Sequence, residues 1–151
     1  MIVDNSMVVG QKEGRLTKKR QVAFPKKFRE DIGDEFIVTK GMSEYLLVIA
    51  KKNWKVLLEG TEGKPFTQRA TRDLQRYLFG NATEIVLDSQ GRMIIPEYLV
   101  AFAKLSQEVV FVGVERYVEI WDKELLHHHE EKVSHSIELL TIDLNQSDGH
   151  E

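Results

Sequence analysis

The 151-residue sequence contains no cysteine. This absence excludes a disulfide framework and a thiolate metal site, and it is typical of proteins in a reducing compartment. No apolar run approaches the roughly 20 residues of a membrane-spanning helix. The first residues also lack the basic and apolar regions of a signal peptide. We therefore expect a globular cytoplasmic protein without a membrane partner.

Common enzyme and cofactor motifs are also missing. The sequence has no G-x-S-x-G, G-x-G-x-x-G or H-E-x-x-H pattern. The loop at 58–66 contains GTEGKP, which lacks the spacer and the hydroxyl residue of a phosphate-binding loop. No histidine precedes His127, so the sequence gives little support for acid–base chemistry with Asp88. We expect neither an enzyme nor a bound cofactor.

The net charge of −3 conceals an uneven distribution. Residues 122–151 carry eight acids and two lysines, a balance of −6, whereas residues 12–29 carry one acid and a balance of +7. A solvated surface is the common explanation of such a charge run, and a polyanionic partner is the alternative. The basic residues of the second segment are Lys12, Arg15, Lys18, Lys19, Arg20, Lys26, Lys27 and Arg29.

The most informative pattern is an internal repeat. LTKKRQVAFP at 16–25 aligns without a gap with LDSQGRMIIP at 87–96, an offset of 71 positions (87 − 16). The same elements follow in both copies: a short helix after the proline, an apolar strand, a turn and a second strand. A shared order of four elements indicates an internal duplication. The corresponding segments are PKKFREDIG and PEYLVAFAKL, EFIVTKG and EVVFVGV, and YLLVIAKKNW and YVEIWDKEL.

A helix is predicted between the copies, within residues 67–82. Apolar residues recur there at helical spacing, and Gly80 is expected to end the helix. An arginine stripe on this helix suits a solvated face, and contact with another subunit or with DNA is the alternative. The apolar residues are Ala70, Leu74, Tyr77 and Leu78, and the arginines are Arg69, Arg72 and Arg76.

The C-terminal segment after Trp121 begins with a helical pattern and is expected to fray into a polar, acidic tail. His127, Glu131 and His135 would share one face if the helix continued. Such side chains can bind zinc, but on a surface helix they are far more often solvated. We therefore expect no metal site.

The two copies differ most at their central turns. In DSQGR, Asp88 can accept hydrogen bonds from the turn amides, Gly91 can adopt a positive φ, and Arg92 starts the next strand. The Arg92 guanidinium would then lie at the rim of a hairpin. It could bind a phosphate or a guanine edge, pair with Asp88, or do both. The second copy therefore predicts an oriented arginine.

In the first copy, TKKRQ, the acid and arginine positions hold Thr17 and Gln21, and the glycine position holds Arg20. We therefore expect a turn of different shape. Lys18, Lys19 and Arg20 would repel one another at its tip, and a polyanion would relieve that repulsion. The first copy predicts a loosely placed cationic cluster that contacts phosphates.

These features resemble the paired SpoVT/AbrB-type halves of the bacterial MraZ transcriptional regulators. The resemblance covers roughly residues 9–125 and rests on three segments in order: RYLFGNA, LDSQGRMIIP and EVVFVGVERYVEIWD. It implies an α+β fold, mainly β with short helices. The expected architecture is a duplicated, swapped-hairpin β-barrel with pseudo-twofold symmetry and a C-terminal helix. The expected segments are a first repeat at 9–54, a linker and helix at 55–82, a second repeat at 83–125, and a C-terminal helix with an acidic tail at 126–151.

The resemblance also implies a function. Such proteins are sequence-specific regulators, usually repressors, that bind direct repeats of double-stranded DNA upstream of the division and cell-wall gene cluster. They act in the nucleoid as rings of identical subunits. Their Asp-x-x-x-Arg motif is intact at Asp88 and Arg92, whereas Thr17 and Gln21 depart from it. The expected DNA-binding residues are Arg15, Lys18, Lys19, Arg20, Asp88 and Arg92.

A protein-interaction module is the alternative function. AbrB-like hairpins also occur in antitoxins, whose acidic tails bind a partner protein, and the −6 balance of residues 122–151 suits that role. The basic segment at 12–29 favours DNA instead. Salt-sensitive retention on DNA would separate the two hypotheses.

Overall fold

The computed structural model describes residues 7–54 and 68–148, with side chains described to residue 144. The loop expected at 58–66 and the last three residues of the expected tail lie outside the described residues. No helix within the described part is long and apolar enough to cross a membrane.

Each half of the chain contains the predicted order of helix, strand and strand, preceded by two further strands. The first half contains β1 (Val8–Arg15), β2 (Gln21–Ala23), α1 (Lys26–Ile32), β3 (Glu35–Lys40) and β4 (Leu46–Ala50). Helix α2 (Arg69–Gly80) follows. The second half contains β5 (Thr83–Val86), β6 (Arg92–Ile94), α3 (Glu97–Ala103), β7 (Glu108–Glu115), β8 (Tyr117–Asp122) and α4 (Lys123–Asp148).

The sheet topology reveals the pseudo-twofold symmetry. Six antiparallel strands are ordered β1-β7-β8-β4-β3-β5, and β2 pairs with β6 in a separate two-stranded sheet. If the four strands of the first half are exchanged with the equivalent strands of the second, the same six-stranded sheet results, read from its opposite edge. The pseudo-twofold axis therefore passes between β8 and β4. The α+β class is confirmed. The ladders of the described strands do not close into the expected barrel, because the six-stranded sheet ends at β1 and β5.

The two halves are interlaced rather than placed side by side. Strand β1 pairs with β7, and β5 pairs with β3, so each half adds its first strand to the sheet of the other half. The central turns therefore connect two different sheets. The Asp88 turn was expected to lie at the rim of a hairpin, but the two strands that it joins do not pair with each other, because turn residues mark a reversal of the chain but do not choose the partner strand.

One hydrophobic core joins the halves. Phe24 of the first half stacks on Phe36 with ring centroids 4.9 Å apart, and its ring meets Phe111 of the second half edge-on at 5.7 Å. The short helices α1 and α3 bury Phe28 and Leu99 in the same core. Neither half can bury these side chains alone, so the described residues of the two halves fold around one shared core.

Helices α2 and α4 cover the other face of the six-stranded sheet. Side chains alternate along β4, so that Val48 enters the shared core while Leu47 and Ile49 pack against Leu78 of α2. Helix α2 ends at Gly80, as expected from the sequence. Asn81 caps the helix. The Asn81 side-chain amide donates to the Tyr77 carbonyl over 2.7 Å.

Helix α4 is longer than expected. Leu126 packs on Val110 and Trp121, and the helix then continues to Asp148. The expectation of a frayed tail was therefore wrong for the residues up to 148. The apolar residues of this segment recur at helical spacing, and this spacing is a stronger indication of a helix than the acidic composition is of fraying. His127 Nε2 and Glu131 Oε1 lie 3.1 Å apart on one helix face, as the sequence predicted.

Candidate nucleic-acid interface

The candidate interface is the ribbon formed by β2 and β6. Its three residue pairs are Gln21–Ile94, Val22–Met93 and Ala23–Arg92. Val22 and Met93 are buried beneath the ribbon, which leaves the other four side chains on its outer face. Because the strands are antiparallel, the turns that precede them lie at opposite ends of this face. We call residues 17–20 the Thr17 turn and residues 88–91 the Asp88 turn.

The Asp88 carboxylate organises its turn. Oδ1 accepts the backbone amides of Gln90 and Arg92, each over 2.9 Å. Oδ2 accepts Nε of the Arg92 guanidinium over 2.9 Å. Gly91 has a φ of 76°, a conformation that residues with a Cβ rarely adopt. The aspartate therefore shapes the turn and also orients the arginine, as the sequence suggested.

Asp88 is the anionic partner of Arg92 at neutral pH. Its pKa lies below the ordinary value, first because the carboxylate accepts the Arg92 backbone amide, and further because it bonds the Arg92 guanidinium and the Gln90 amide. Partial desolvation opposes this lowering of the pKa. Within residues 7–54 and 68–148, no ion pair engages the two Nη groups of Arg92. These groups can therefore donate to an external acceptor.

The Thr17 turn has the same backbone shape, which corrects our expectation of a different one. The Thr17 amide donates to the Gln21 carbonyl over 2.9 Å, and the Asp88 amide donates to the Arg92 carbonyl over 3.0 Å. Arg20 has a φ of 61°, close to that of Gly91. Thr17 Oγ1 accepts the Gln21 amide over 3.1 Å, as Asp88 Oδ1 does for Arg92.

The cations of the Thr17 turn are not equivalent. Lys18 and Lys19 are exposed at the tip. Arg20 is half-buried, and its Nε donates to the Ile95 carbonyl over 3.0 Å. Our expectation of three loosely placed cations therefore fails for Arg20, because a left-handed residue turns its side chain back across the ribbon. Arg15 lies beyond the turn at the end of β1, opposite Glu108.

Each turn is held by the opposite half of the chain. The Gly91 carbonyl accepts a hydrogen bond from the Phe24 amide over 2.9 Å, and the Arg20 carbonyl accepts one from the Ile95 amide over 2.8 Å. The entrances of the two turns are tied in the same way. The Leu87 amide donates to Asp34 over 2.9 Å, and the Leu16 amide donates to Gln107 over 2.8 Å. These reciprocal bonds explain why two different sequences adopt one turn conformation.

Sequence similarity to known proteins agrees with this duplicated architecture. The family described as "MraZ protein, putative antitoxin-like" matches residues 7–77 and again residues 78–143. The first match contains β1 to β4 and most of α2, and the second contains β5 to β8 and most of α4. This chain belongs to the MraZ family.

Several MraZ relatives match most of the chain. A protein named Transcriptional regulator MraZ from Carboxydothermus hydrogenoformans is 42% identical over 123 residues, which cover 82% of this chain and 86% of the relative. A protein of the same name from Clostridium acetobutylicum is 39% identical over 118 residues, or 78% and 83% of the two chains. A third, from Thermoanaerobacter pseudethanolicus, is 34% identical over 140 residues, or 93% and 98%.

Two residues near the ribbon of this MraZ-family protein, Arg29 and Asp34, were not predicted from the sequence to support the site. Arg29 of α1 extends to the Asp88 turn, and its Nε donates to Asp34 Oδ1 over 2.6 Å. We had counted Arg29 only as part of the basic segment. The alignment of the two copies could have indicated this role. Val100 stands at the position equivalent to Arg29, so only the first copy carries a charge there.

Proposed function

We propose that this protein is a sequence-specific DNA-binding transcriptional regulator. The observation that supports this most strongly is the β2–β6 ribbon, whose outer face carries an oriented arginine at one end and exposed lysines at the other. A two-stranded ribbon fits the major groove, which is about 12 Å wide. The names of the MraZ relatives support the same function. We assign DNA contact to Arg15, Lys18, Lys19, Arg20, Asp88 and Arg92.

The two ends of the ribbon have different roles in this proposal. Arg92 reads a base, because Asp88 fixes its orientation, and an arginine can bind the guanine edge with two parallel bonds. Lys18 and Lys19 contact phosphates, because among the residues that the structure describes no partner aims their exposed side chains, and phosphate contact needs charge rather than orientation. Arg20 reinforces the turn with its Nε, and its terminal nitrogens add positive charge.

We also propose that the protein assembles into a closed ring of identical subunits. Val133, Ile137, Leu140 and Leu144 form an exposed apolar stripe on α4, with spacings of four, three and four residues. The stripe continues the face by which Leu126 packs on the sheet. A large apolar surface that its own subunit does not cover is typical of an interaction site.

The residues beside this stripe are compatible with burial. Ser136 Oγ donates to the Lys132 carbonyl over 3.1 Å, and Thr141 Oγ1 donates to the Ile137 carbonyl over 2.9 Å. Their hydroxyl groups therefore already have partners within the helix, so covering them leaves no unpaired donor. Assembly would also repeat the ribbon, which raises the avidity for DNA.

Light scattering tests the assembly. We expect Ile137→Ser with Leu140→Ser to dissociate the oligomer. Leu139→Ser with Ile142→Ser removes two exposed apolar side chains outside the stripe and should leave the oligomer intact. A wild-type protein that is monomeric at micromolar concentration and still binds its operator tightly would contradict the proposal.

In the cell, the proposed role is that of a repressor. The protein would act in the cytoplasm, associated with the nucleoid, on direct repeats upstream of the division and cell-wall gene cluster. An antitoxin-type module that binds a protein is the alternative, and the family description and the acids of α4 support it. DNA retention that salt does not weaken, or no retention at all, would favour the alternative.

The decisive experiment compares duplexes from the region upstream of this gene with scrambled duplexes of the same composition. We expect wild-type protein to prefer the native sequence. Arg92→Ala should reduce this preference by about 1–3 kcal/mol per base contact. Arg76→Ala is the matched control, because Arg76 is an exposed arginine paired with Asp73 over 2.9 Å on α2. Equal losses on both DNAs would mean that Arg92 contacts phosphate only.

A further inference from the structure

Arg29 covers the Asp88 turn from the opposite half of the chain. A Cβ added to Gly91 would lie 2.7 Å from Arg29 Nη1, so the guanidinium rests directly on the glycine. The Arg29 side chain is only 34% exposed. Its long side chain therefore spans from α1 to the turn that presents Arg92.

Asp34 fixes the position of this guanidinium. Its carboxylate accepts Arg29 Nε over 2.6 Å, and its backbone carbonyl accepts the Leu87 amide over 2.9 Å. One residue therefore anchors both Arg29 and the entrance of the Asp88 turn. The exit of the turn is tied by the bond from the Phe24 amide to the Gly91 carbonyl, also 2.9 Å.

The charges form an alternating series of Asp34, Arg29, Asp88 and Arg92. The pKa of Arg29 is raised, first by its hydrogen bond to Asp34 and also by the charges of Asp34 and Asp88. The pKa of Asp34 is lowered, chiefly by the hydrogen bond from Arg29. The charge of Asp88 thus contributes to the raised pKa of Arg29, while Arg92 and Gln90 lower the pKa of Asp88 itself.

The equivalent place at the Thr17 turn is built differently. Val100 stands at the position of Arg29, and Gln107 at that of Asp34. There the turn residue itself, Arg20, supplies a guanidinium, which bonds the Ile95 carbonyl. In addition to Arg92, the Asp88 turn is therefore contacted by a guanidinium from a helix of the other half, whereas the guanidinium at the Thr17 turn belongs to the turn itself.

We propose that Arg29 is a positioning residue for DNA recognition. It holds the Asp88 turn, and through it Arg92, in the orientation that reads a base, so the first half of the chain controls the readout by the second. This inference rests on the proposed function. Direct contact between Arg29 and a phosphate, or a role in folding alone, would give different results in the following experiment.

The experiment uses the full chain with Arg29→Lys, Arg29→Ala or Asp34→Asn. Lys26→Ala is the control, because it removes an exposed charge from the same helix. Discrimination between the native upstream duplex and its scrambled form, the salt dependence of binding, and thermal stability are measured for each. In DNA-free protein, NMR measures the exchange of the Arg92 Nε proton with water.

We expect Arg29→Lys to keep the salt dependence, because the charge remains, but to lower discrimination about fivefold or more. Asp34→Asn should act in the same direction. Exchange of the Arg92 Nε proton should become severalfold faster in both variants and remain unchanged in Lys26→Ala.

Two results would overturn the proposal. If Arg29→Lys retains full discrimination while Arg29→Ala weakens both DNAs equally and flattens the salt dependence, Arg29 is a phosphate contact. If thermal stability falls but discrimination and proton exchange do not change, its role is in folding alone. The proton exchange is measured without DNA, so it tests the positioning even if the wild-type protein shows no DNA preference and the proposed function fails.

Discussion

The Thr17 turn and the Asp88 turn share a backbone conformation but have no residue type in common at equivalent positions. Arg20 and Gly91 both have a positive φ, although an L-residue pays roughly 1–2 kcal/mol for it and glycine does not. The strained arginine is tolerated because the opposite half holds its carbonyl through the Ile95 amide. Tertiary hydrogen bonds therefore set the shape of these turns, while the local sequence sets their chemistry.

In the proposed function, that difference in chemistry gives the ribbon two kinds of DNA contact. The Asp88 turn fixes a guanidinium, which suits a base edge. The Thr17 turn exposes two ammonium groups, which suit the phosphates on either side of a groove. The following predictions test the shared support first and then the differences between the turns.

The largest effect should follow from removing a buried side chain beneath the ribbon that links the two turns. Met93 is 2% exposed beneath the ribbon, so Met93→Ala should lower the free energy of unfolding by about 2–5 kcal/mol. Ile94→Ala, on the outer face of the same strand, should change it by less than about 0.5 kcal/mol. Thermal or denaturant unfolding measures both. Similar losses in the two variants would mean that the ribbon does not share the core.

The two left-handed positions should respond to substitution differently. Gly91→Ala should destabilise the fold by about 1–2 kcal/mol, because a Cβ strains that backbone, and it would also displace Arg29. Arg20→Gly relieves similar strain but loses the bond to Ile95, worth about 0.5–1.5 kcal/mol, so its net effect should be near zero. Equal destabilisation in unfolding experiments would argue against backbone strain at Arg20.

The lysines of the Thr17 turn should affect binding without affecting specificity. Lys18→Ala with Lys19→Ala should remove two phosphate contacts and reduce the log–log salt slope by about 1.8 per ribbon. Over a fourfold range of salt concentration, the ratio of the variant's DNA affinity to that of the wild-type protein should therefore change about tenfold. The control is Lys51→Ala with Lys104→Ala, two ion-paired surface lysines elsewhere. Loss of binding to the native duplex alone would show that these lysines read bases.

The smallest effect concerns pH. The folded-state pKa of Asp88 is lowered, so ionised Asp88 stabilises the fold above the ordinary carboxyl pKa and stops doing so as the pH falls through the lowered value. The stability difference between wild type and Asp88→Asn should therefore shrink below about pH 4. The difference between wild type and Thr17→Val should stay constant, since a hydroxyl does not titrate there. A constant difference for Asp88→Asn would refute the lowered pKa.

Much of the fold could be predicted from the residues. Apolar periodicity located α1, α3 and the third and fourth strands of each half, because these elements bury one face whatever their partner. The Asp88–Arg92 pair was also predictable, since its bonds join residues four positions apart. Arg29 was not, because its partners at the Asp88 turn lie some 60 residues away (91 − 29) and contact it only through the interlaced topology.

The residues alone indicate that the chain is a duplication, which apolar segments recur in both copies, and that one turn carries an Asp–Arg pair while the other carries a cationic cluster. These features depend on neighbours along the chain. Only the tertiary structure decided that β1 pairs with β7 and β5 with β3, that Arg20 turns inward, and that Arg29 supports the turn of the other copy. The physical reason is that backbone donors must find acceptors, and here the opposite half provides them.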